Sequence, residues 1–280
     1  MYKKGETYSE NMNMKPYVIA FANQKGGVGK TTSCVNIAAY IASKGHKVLL
    51  IDCDPQGNST TGVGISKKSI NHSVYDALIG TVAPGECVIK TQFTNLYVVP
   101  ATINLAGAEF ELFDIEQREK CLANFIASLD TGEAAAEELE HFDFVMIDCP
   151  PSLSMLTINA LTASNGVIIP MQSEYYALEG LTQLMLTIKK VKQFYNPGLS
   201  ILGILITMHN GRLNLSMQVL DELKKYYADK LFKTMIPRAV KLSEAPSFGT
   251  PAMYHDKYSK GTKAYADISE EILERTGFIA

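Results

Sequence analysis

Cysteine is scarce in this chain: five residues, Cys34, Cys53, Cys87, Cys121 and Cys149, an odd number with no close pairs. That argues against a disulfide framework or a zinc ribbon and favours reduced thiols. The five histidines (His46, His72, His141, His209, His255) are scattered, so no metal cluster is visible in the sequence. Glycine (20) and proline (11) are not in excess, which excludes collagen-like and low-complexity classes. Long apolar runs are missing too. The longest uncharged stretch, residues 149–173, carries three prolines and many Ser, Thr and Asn residues, so it reads as buried soluble structure. The first 15 residues are polar and do not read as a signal peptide.

What is present is a chain of 280 residues with 46% hydrophobic and 20% charged side chains, composed for a packed core. The net charge of −3 conceals an asymmetry. Residues 109–148 hold 12 acids against 2 bases, whereas residues 212–263 hold 10 bases against 5 acids. A mildly acidic chain with one basic segment can present that face to a polyanion; scattered, solvated surface charge is the plainer alternative.

The apolar run Tyr17 to Ala22 reads as a buried strand ending at a glycine-rich segment. From Thr31 to Ser43 apolar residues recur at helical spacing, and Gly45 supplies a stop. Val48 to Ile51 follows as a second strand ending at Asp52. Strand, helix and strand in about 35 residues make a βαβ unit with a parallel sheet. Further strands are expected at 96–100, 142–148, 166–170 and 201–206, with helices at 178–194, 216–228 and 262–275 and an exposed acidic helix at 133–140. The expected architecture is α/β: one doubly wound, mostly parallel sheet over residues 16–280 behind a flexible tail of residues 1–15.

The informative segment is Lys25-Gly26-Gly27-Val28-Gly29-Lys30-Thr31-Thr32, between the first strand and the first helix. Glycines let backbone N–H groups approach a polyphosphate, and the helix N-terminus offers unpaired donors and a positive dipole end. Lys30 is placed to reach the β- and γ-phosphates of ATP, and Thr31 to give its hydroxyl to Mg²⁺. The usual loop begins with glycine, but here Gln24 stands at that position, so this is a deviant Walker A loop with a second lysine at Lys25. The plain alternative is a glycine-rich turn capping a helix. Asp52 and Asp148 end two strands and so lie on the ligand side of a parallel sheet, where acids hold Mg²⁺ through its waters or orient an attacking water. Either acid could instead cap a turn, and Asp54, before Pro55, could be a turn residue or a catalytic one.

On these residues the chain resembles the ParA/Soj family of chromosome- and plasmid-partitioning ATPases, the chromosomal Soj type most closely. The marks run in order from the loop to Asp52-Cys53-Asp54-Pro55-Gln56-Gly57-Asn58 and Ile147-Asp148-Cys149-Pro150-Pro151-Ser152. They continue with Glu174-Tyr175-Tyr176-Ala177-Leu178-Glu179-Gly180-Leu181, then Ile236-Pro237-Arg238 leading into Leu242 to Ser247.

The resemblance implies that Lys25 is the signature lysine, reaching across a nucleotide-sandwich homodimer to the partner's ATP, and that Gly26 lets two subunits approach. It implies that Asp54 positions the hydrolytic water and that Asp52 and Asp148 are the Mg²⁺-associated acids. Pro237 and its neighbours fall where the family contacts adenine, but Ala239 stands where the family often has Asn. Arg212 and Lys241 match positions of basic DNA contacts, and Arg238 is either a third or a residue of the adenine loop. The implied activity is ATP hydrolysis, stimulated by a ParB-like partner, by a dimer that binds double-stranded DNA without sequence preference in the cytoplasm, on the nucleoid; with no arginine adjoining the loop, intrinsic turnover is expected to be slow.

Rival readings share the loop. A MinD-like membrane ATPase needs a basic amphipathic C-terminal helix, whereas residues 267–275 are mainly acidic. A nitrogenase-reductase-like protein needs cluster-ligating cysteines in a glycine-rich context that Cys121 and Cys149 lack. A nucleotide-dependent scaffold with little turnover is the third. The short N-terminus leaves no room for the extra DNA-reading domain of some plasmid relatives.

Overall fold

The computed structural model describes residues 15–129, 139 and 141–279. Seven strands form one sheet: β1 (Tyr17–Phe21), β2 (Val48–Asp52), β3 (Ile89–Lys90), β4 (Leu96–Val99), β5 (Phe144–Asp148), β6 (Gly166–Gln172) and β7 (Ser200–Thr207). Their order is β3-β4-β2-β5-β1-β6-β7, and every pairing is parallel except β3 with β4. This is the doubly wound α/β sheet that the alternation of patterns predicts.

The helices are α1 (Lys30–Ser43), α2 (Asn58–Gly62), α3 (Val74–Ile79), α4 (Ala108–Glu111), α5 (Cys121–Leu129), α6 (Met155–Ala163), α7 (Tyr175–Phe194), α8 (Asn214–Tyr227), α9 (Val240–Glu244), α10 (Ala252–His255) and α11 (Lys260–Thr276). Successive residues of a strand face opposite ways, so each strand feeds two cores. In β1, Val18 and Ala20 join the core under α3 and α5 to α8, while Ile19 and Phe21 join the core under α1 and α11. Both faces are covered, which is why the strands read as unbroken apolar runs rather than alternating ones.

Helix α11 packs on α1 through Ala264, Tyr265, Ile268 and Ile272, all buried. Its apolar stripe is therefore used up inside the fold. Arg275 locks the far end: its guanidinium donates to the carbonyls of Leu202 and Leu231, each at 2.7 Å, and to the carboxylate of Glu271 at 2.6 Å.

Three features escaped the sequence reading. β3 is two residues long and antiparallel, too short to show a period. Helix α6 lies inside the uncharged stretch and is buried nearly all round, so it has no amphipathic stripe. Helices α2, α3, α4, α5, α9 and α10, also unexpected, are likewise short. The expected acidic helix at 133–140 lies outside the described residues except for Leu139, and the expected tail of residues 1–15 does so except for Lys15.

Candidate functional site

The sheet brings the two acids side by side. Asp52 of β2 and Asp148 of β5 are register partners at the C-terminal ends of adjacent strands, and Phe21 of β1 is level with Asp148. The glycine-rich loop leaves β1 at this same edge.

The loop is held from several sides. Asn23 accepts from the Lys25 amide (3.0 Å) and donates to the Pro170 carbonyl (2.8 Å), which anchors the loop to β6. Gln172 donates to the Gly27 carbonyl at 3.0 Å, and the Thr207 hydroxyl at the end of β7 donates to the Val28 carbonyl at 2.7 Å. Gly27 and Gly29 have φ of 72° and 84°, a region that side-chain-bearing residues avoid, so these two positions require glycine. Gly26 does not: a Cβ there would meet only Pro151, at an ordinary 3.9 Å.

Helix α1 begins at Lys30 directly after the left-handed Gly29, so its free amides face the loop's concavity. The Lys30 side chain is buried, and its ammonium donates to the Lys25 carbonyl at 3.2 Å. Burial pushes the Lys30 pKa down, while the negative charge of Asp148 pulls it back up. Lys25 turns the other way, its ammonium 2.5 Å from the carboxylate of Glu174 at the start of α7.

Both strand-end acids are fully buried. Asp52 accepts from the amide and hydroxyl of Thr60 at 2.8 and 2.7 Å and from the Asp54 amide at 3.2 Å. Asp148 accepts from the Ser59 hydroxyl at 2.7 Å, and the nearby Thr31 hydroxyl favours its charged form. Its Oδ1 has no partner among the described residues. Burial pushes both carboxyls above the ordinary carboxylate range, and for Asp148 the charge of Asp52 adds to the rise. A buried carboxylate oxygen without a donor, beside a threonine hydroxyl and a lysine, is an environment that a hydrated divalent cation completes. Among the described residues no three His, Cys, Asp or Glu side chains converge to hold a metal unaided, so phosphate oxygens would have to share the coordination of Mg²⁺.

Asp54 is buried and accepts from the Gln56 amide at 2.9 Å. The turn role left open for it is thus realised here. On the far side of Gly29 lies a cavity of about 390 Å³ lined by Thr32, Thr207, Met208, Ile236, Pro237, Arg238, Ala239, Leu242 and Tyr265, among others. Pro237 and Ala239 lie in the wall of this mostly apolar slot beside the loop. Arg238 shares that wall and that of a neighbouring cavity of about 570 Å³, which also includes Leu213. Arg212 and Lys241 are exposed, and Lys241 is bonded to Glu244 at 2.9 Å.

The residues that sequence reasoning missed are supports: Ser59, Thr60, Gln172 and Thr207. Ser59 and Thr60 follow Asn58 directly, so the acid-rich motif itself pointed to them. Thr207 lies 179 positions from the carbonyl that it holds, and only the tertiary fold reveals it.

A family model described as an AAA domain matches residues 16–201. The sporulation initiation inhibitor protein Soj of Bacillus subtilis is 49% identical over 255 residues, covering 91% of this chain and 97% of that protein. The chain belongs to the ParA/Soj family of partitioning ATPases. The chromosome partitioning protein ParA of Myxococcus xanthus is 46% identical, with 92% of this chain and 88% of that protein covered. Among solved structures, one titled cobyrinic acid a,c-diamide synthase from Mycobacterium smegmatis superposes with a TM-score of 0.79 at 37% identity, over 94% of this chain and 96% of the other. It has been solved with ADP and magnesium and with an ATP analogue and magnesium. Family membership thus leads from the fold to one question: what these particular residues do with a nucleotide. No described helix is long and apolar enough to cross a membrane.

Proposed function

We propose that this ParA/Soj-family chain is an ATP-dependent partitioning switch. It takes up ATP with Mg²⁺, pairs with a second copy, grips double-stranded DNA without sequence preference, and lets go on hydrolysis. Residues 16–280 act as one ATPase unit in this reading. The observation that carries it is the buried, donor-less Oδ1 of Asp148, next to Thr31 and Lys30 at the mouth of α1. Buried polar atoms are rarely left without a partner, and a hydrated divalent cation would supply one to this oxygen.

Each residue has a role that follows from its position. The amides of Gly26 to Thr32 and the Lys30 ammonium cradle the phosphates, and Lys30 needs only to exchange the Lys25 carbonyl for a phosphate oxygen. Thr31, Asp52 and Asp148 hold the cation, directly or through its waters. When bound, Mg²⁺ supplies charge neutralisation at the phosphates. Pro237 and Ala239 press on the base; with no side-chain amide at Ala239, the polar contacts there fall to the backbone. Asp54 accepts a proton-bearing water in place of its turn hydrogen bond and orients it for attack.

Lys25 leaves Glu174 and neutralises phosphate on the partner copy, while Gly26 keeps the two loops close. The catalytic set is thus Lys25, Lys30 and Asp54. No arginine flanks the loop between Lys25 and Ser33, so turnover by the isolated protein is slow, since an arginine finger contributes about 10³–10⁵ in rate. A ParB-like partner supplies the stimulation. Arg212, Arg238 and Lys241 contribute to a DNA face that pairing doubles, and each phosphate neutralised adds about 0.9 to the log–log salt slope. The location is the nucleoid, in the cytoplasm. Because α11 spends its apolar stripe on α1, it has none left for a membrane surface, which favours this reading over the MinD-like one.

The test is DNA retention by the purified protein with ATP, with ADP and without nucleotide. Retention is expected with ATP alone and lost in Arg212→Glu/Lys241→Glu. Equal retention by the empty protein would overturn the switch. Asp54→Ala is expected to keep ATP and DNA binding and to lose about 10²–10⁴ in turnover; normal turnover would remove Asp54 from the mechanism.

A further inference from the structure

The hydrogen bonds that hold Asp52 among the described residues all come from one segment, residues 54–60. The Asp54 amide gives one at 3.2 Å, and Thr60 gives two, from its amide at 2.8 Å and its hydroxyl at 2.7 Å. A threonine hydroxyl has one proton and two lone pairs. The Ala101 amide, just past β4, can only donate, and it donates to this oxygen at 2.9 Å. The single hydroxyl proton is therefore committed to Asp52. Thr60 is fully buried, and its branched side chain allows few rotamers, so the hydroxyl has little freedom to turn elsewhere.

The same segment carries Asp54. The Gln56 amide donates to the Asp54 carboxylate at 2.9 Å and the Gly57 amide to the Asp54 carbonyl at 2.8 Å, and this turn runs straight into α2. Gly57 has φ of 57°, and a Cβ there would stand 2.9 Å from the Ala101 carbonyl oxygen, closer than a side chain can come. The segment is thus seated against Ala101 at two points, Gly57 and Thr60. Its next-door hydroxyl serves the other acid: Ser59, also fully buried, donates to Asp148 at 2.7 Å. One short piece of chain therefore holds both strand-end acids and carries the third carboxylate of the site.

We propose that Thr60 is a positioning residue of the ATPase: its hydroxyl sets the orientation in which Asp52 serves the cation, and its place on the Asp54 segment keeps these two carboxylates in register. This rests on the ATPase reading above and adds to it a residue that acts through Asp52 and Asp54 and not on the nucleotide itself. Groups that orient a metal's ligands matter to a metal site almost as much as the ligands do. Without the hydroxyl, Asp52 keeps two of its three donors and the Ala101 amide loses its acceptor, so both the carboxylate and the segment are released to shift.

The experiment compares the full chain with Thr60→Val, which keeps the shape and removes the hydroxyl, and Thr60→Ser, which keeps the hydroxyl and removes a methyl. Binding of fluorescently labelled ADP is followed in EDTA and at rising free Mg²⁺. In Thr60→Val the Mg²⁺ concentration for half the response is expected to rise about 10- to 100-fold, with affinity in EDTA equal to that of the wild type. Its ATP turnover at saturating Mg²⁺ is expected to stay at least about tenfold low, because Asp54 has lost its register. Thr60→Ser should match the wild type in all three measurements. Should valine prevent folding, Thr60→Ala takes its place with the same expectations. An unchanged Mg²⁺ midpoint overturns the proposal. So does an equal loss of ADP affinity in EDTA, which would make Thr60 merely structural, and so does a serine variant that behaves like valine. Full turnover at saturating Mg²⁺ overturns the link to Asp54. A wild type indifferent to Mg²⁺ would sink the ATPase reading together with this one, whereas a Mg²⁺-dependent wild type beside an unaltered valine variant sinks this one alone.

Discussion

Lys25 Nζ lies 2.5 Å from Glu174 Oε2, so the lysine proposed to serve a second subunit is held within its own. The two side chains are 41% and 52% exposed, and a pair this wet contributes roughly 0–1 kcal/mol. It is a tether, not a lock. Glu174→Gln is therefore expected to shift thermal unfolding by no more than about 1 kcal/mol, whereas Lys25→Ala should abolish the ATP-dependent dimer seen by light scattering and leave monomer nucleotide binding in place. A dimer in Lys25→Ala would contradict the role in trans.

Gly26 has room for a side chain inside one chain, since its Cβ would stand 3.9 Å from Pro151. Gly26→Val is expected to fold, with a melting temperature close to that of the wild type, and to bind labelled ATP as a monomer. If that variant still pairs in ATP, the need for glycine does not come from a partner subunit.

The raised pKa of Asp148 carries a pH signature. The folded state keeps a proton on this carboxyl where the unfolded chain has already lost it. Stability is therefore lost as pH rises from the ordinary carboxylate range toward neutrality. Asp148→Asn should be more stable than the wild type without nucleotide, by an amount on the order of 1 kcal/mol that grows over this interval. Mg²⁺ with ATP favours the charged form and should narrow the gap. Unfolding scans of both proteins across that range, with and without MgATP, measure it; a gap that shrinks with rising pH would contradict the sign.

Arg275 joins α11 to β7 and balances Glu271, whose side chain is almost wholly buried. Arg275→Met leaves Glu271 without its counter-ion and two carbonyls without a donor. The expected cost is about 3–5 kcal/mol in denaturant unfolding. A loss below about 1 kcal/mol would mean that Glu271 is well solvated or protonated.

Much of the site was legible because its parts are local. The deviant loop, the acid pair and the threonine are short motifs at the ends of strongly apolar strands, and a parallel sheet collects strand ends on one edge whatever the details. Pro237 and Ala239 were placed by resemblance, and the cavity wall contains both. Lys25 was read as a residue facing a partner; its cis contact with Glu174, 149 positions away, has no local trace.

The linear chain by itself determined the alternation of strands and helices, the sheet's parallel sense and the phosphate loop, because hydrophobic period and glycine placement act over a few neighbouring residues. Tertiary structure alone decided which polar groups are left over. One oxygen of Asp148 was left without a donor, Lys25 found Glu174, and Phe110 and Phe113 were left facing solvent while Leu105 and Leu112 were buried. Which side chain the core covers and which acceptor is left over depend on packing between segments far apart in the chain, so no local pattern in the sequence shows them.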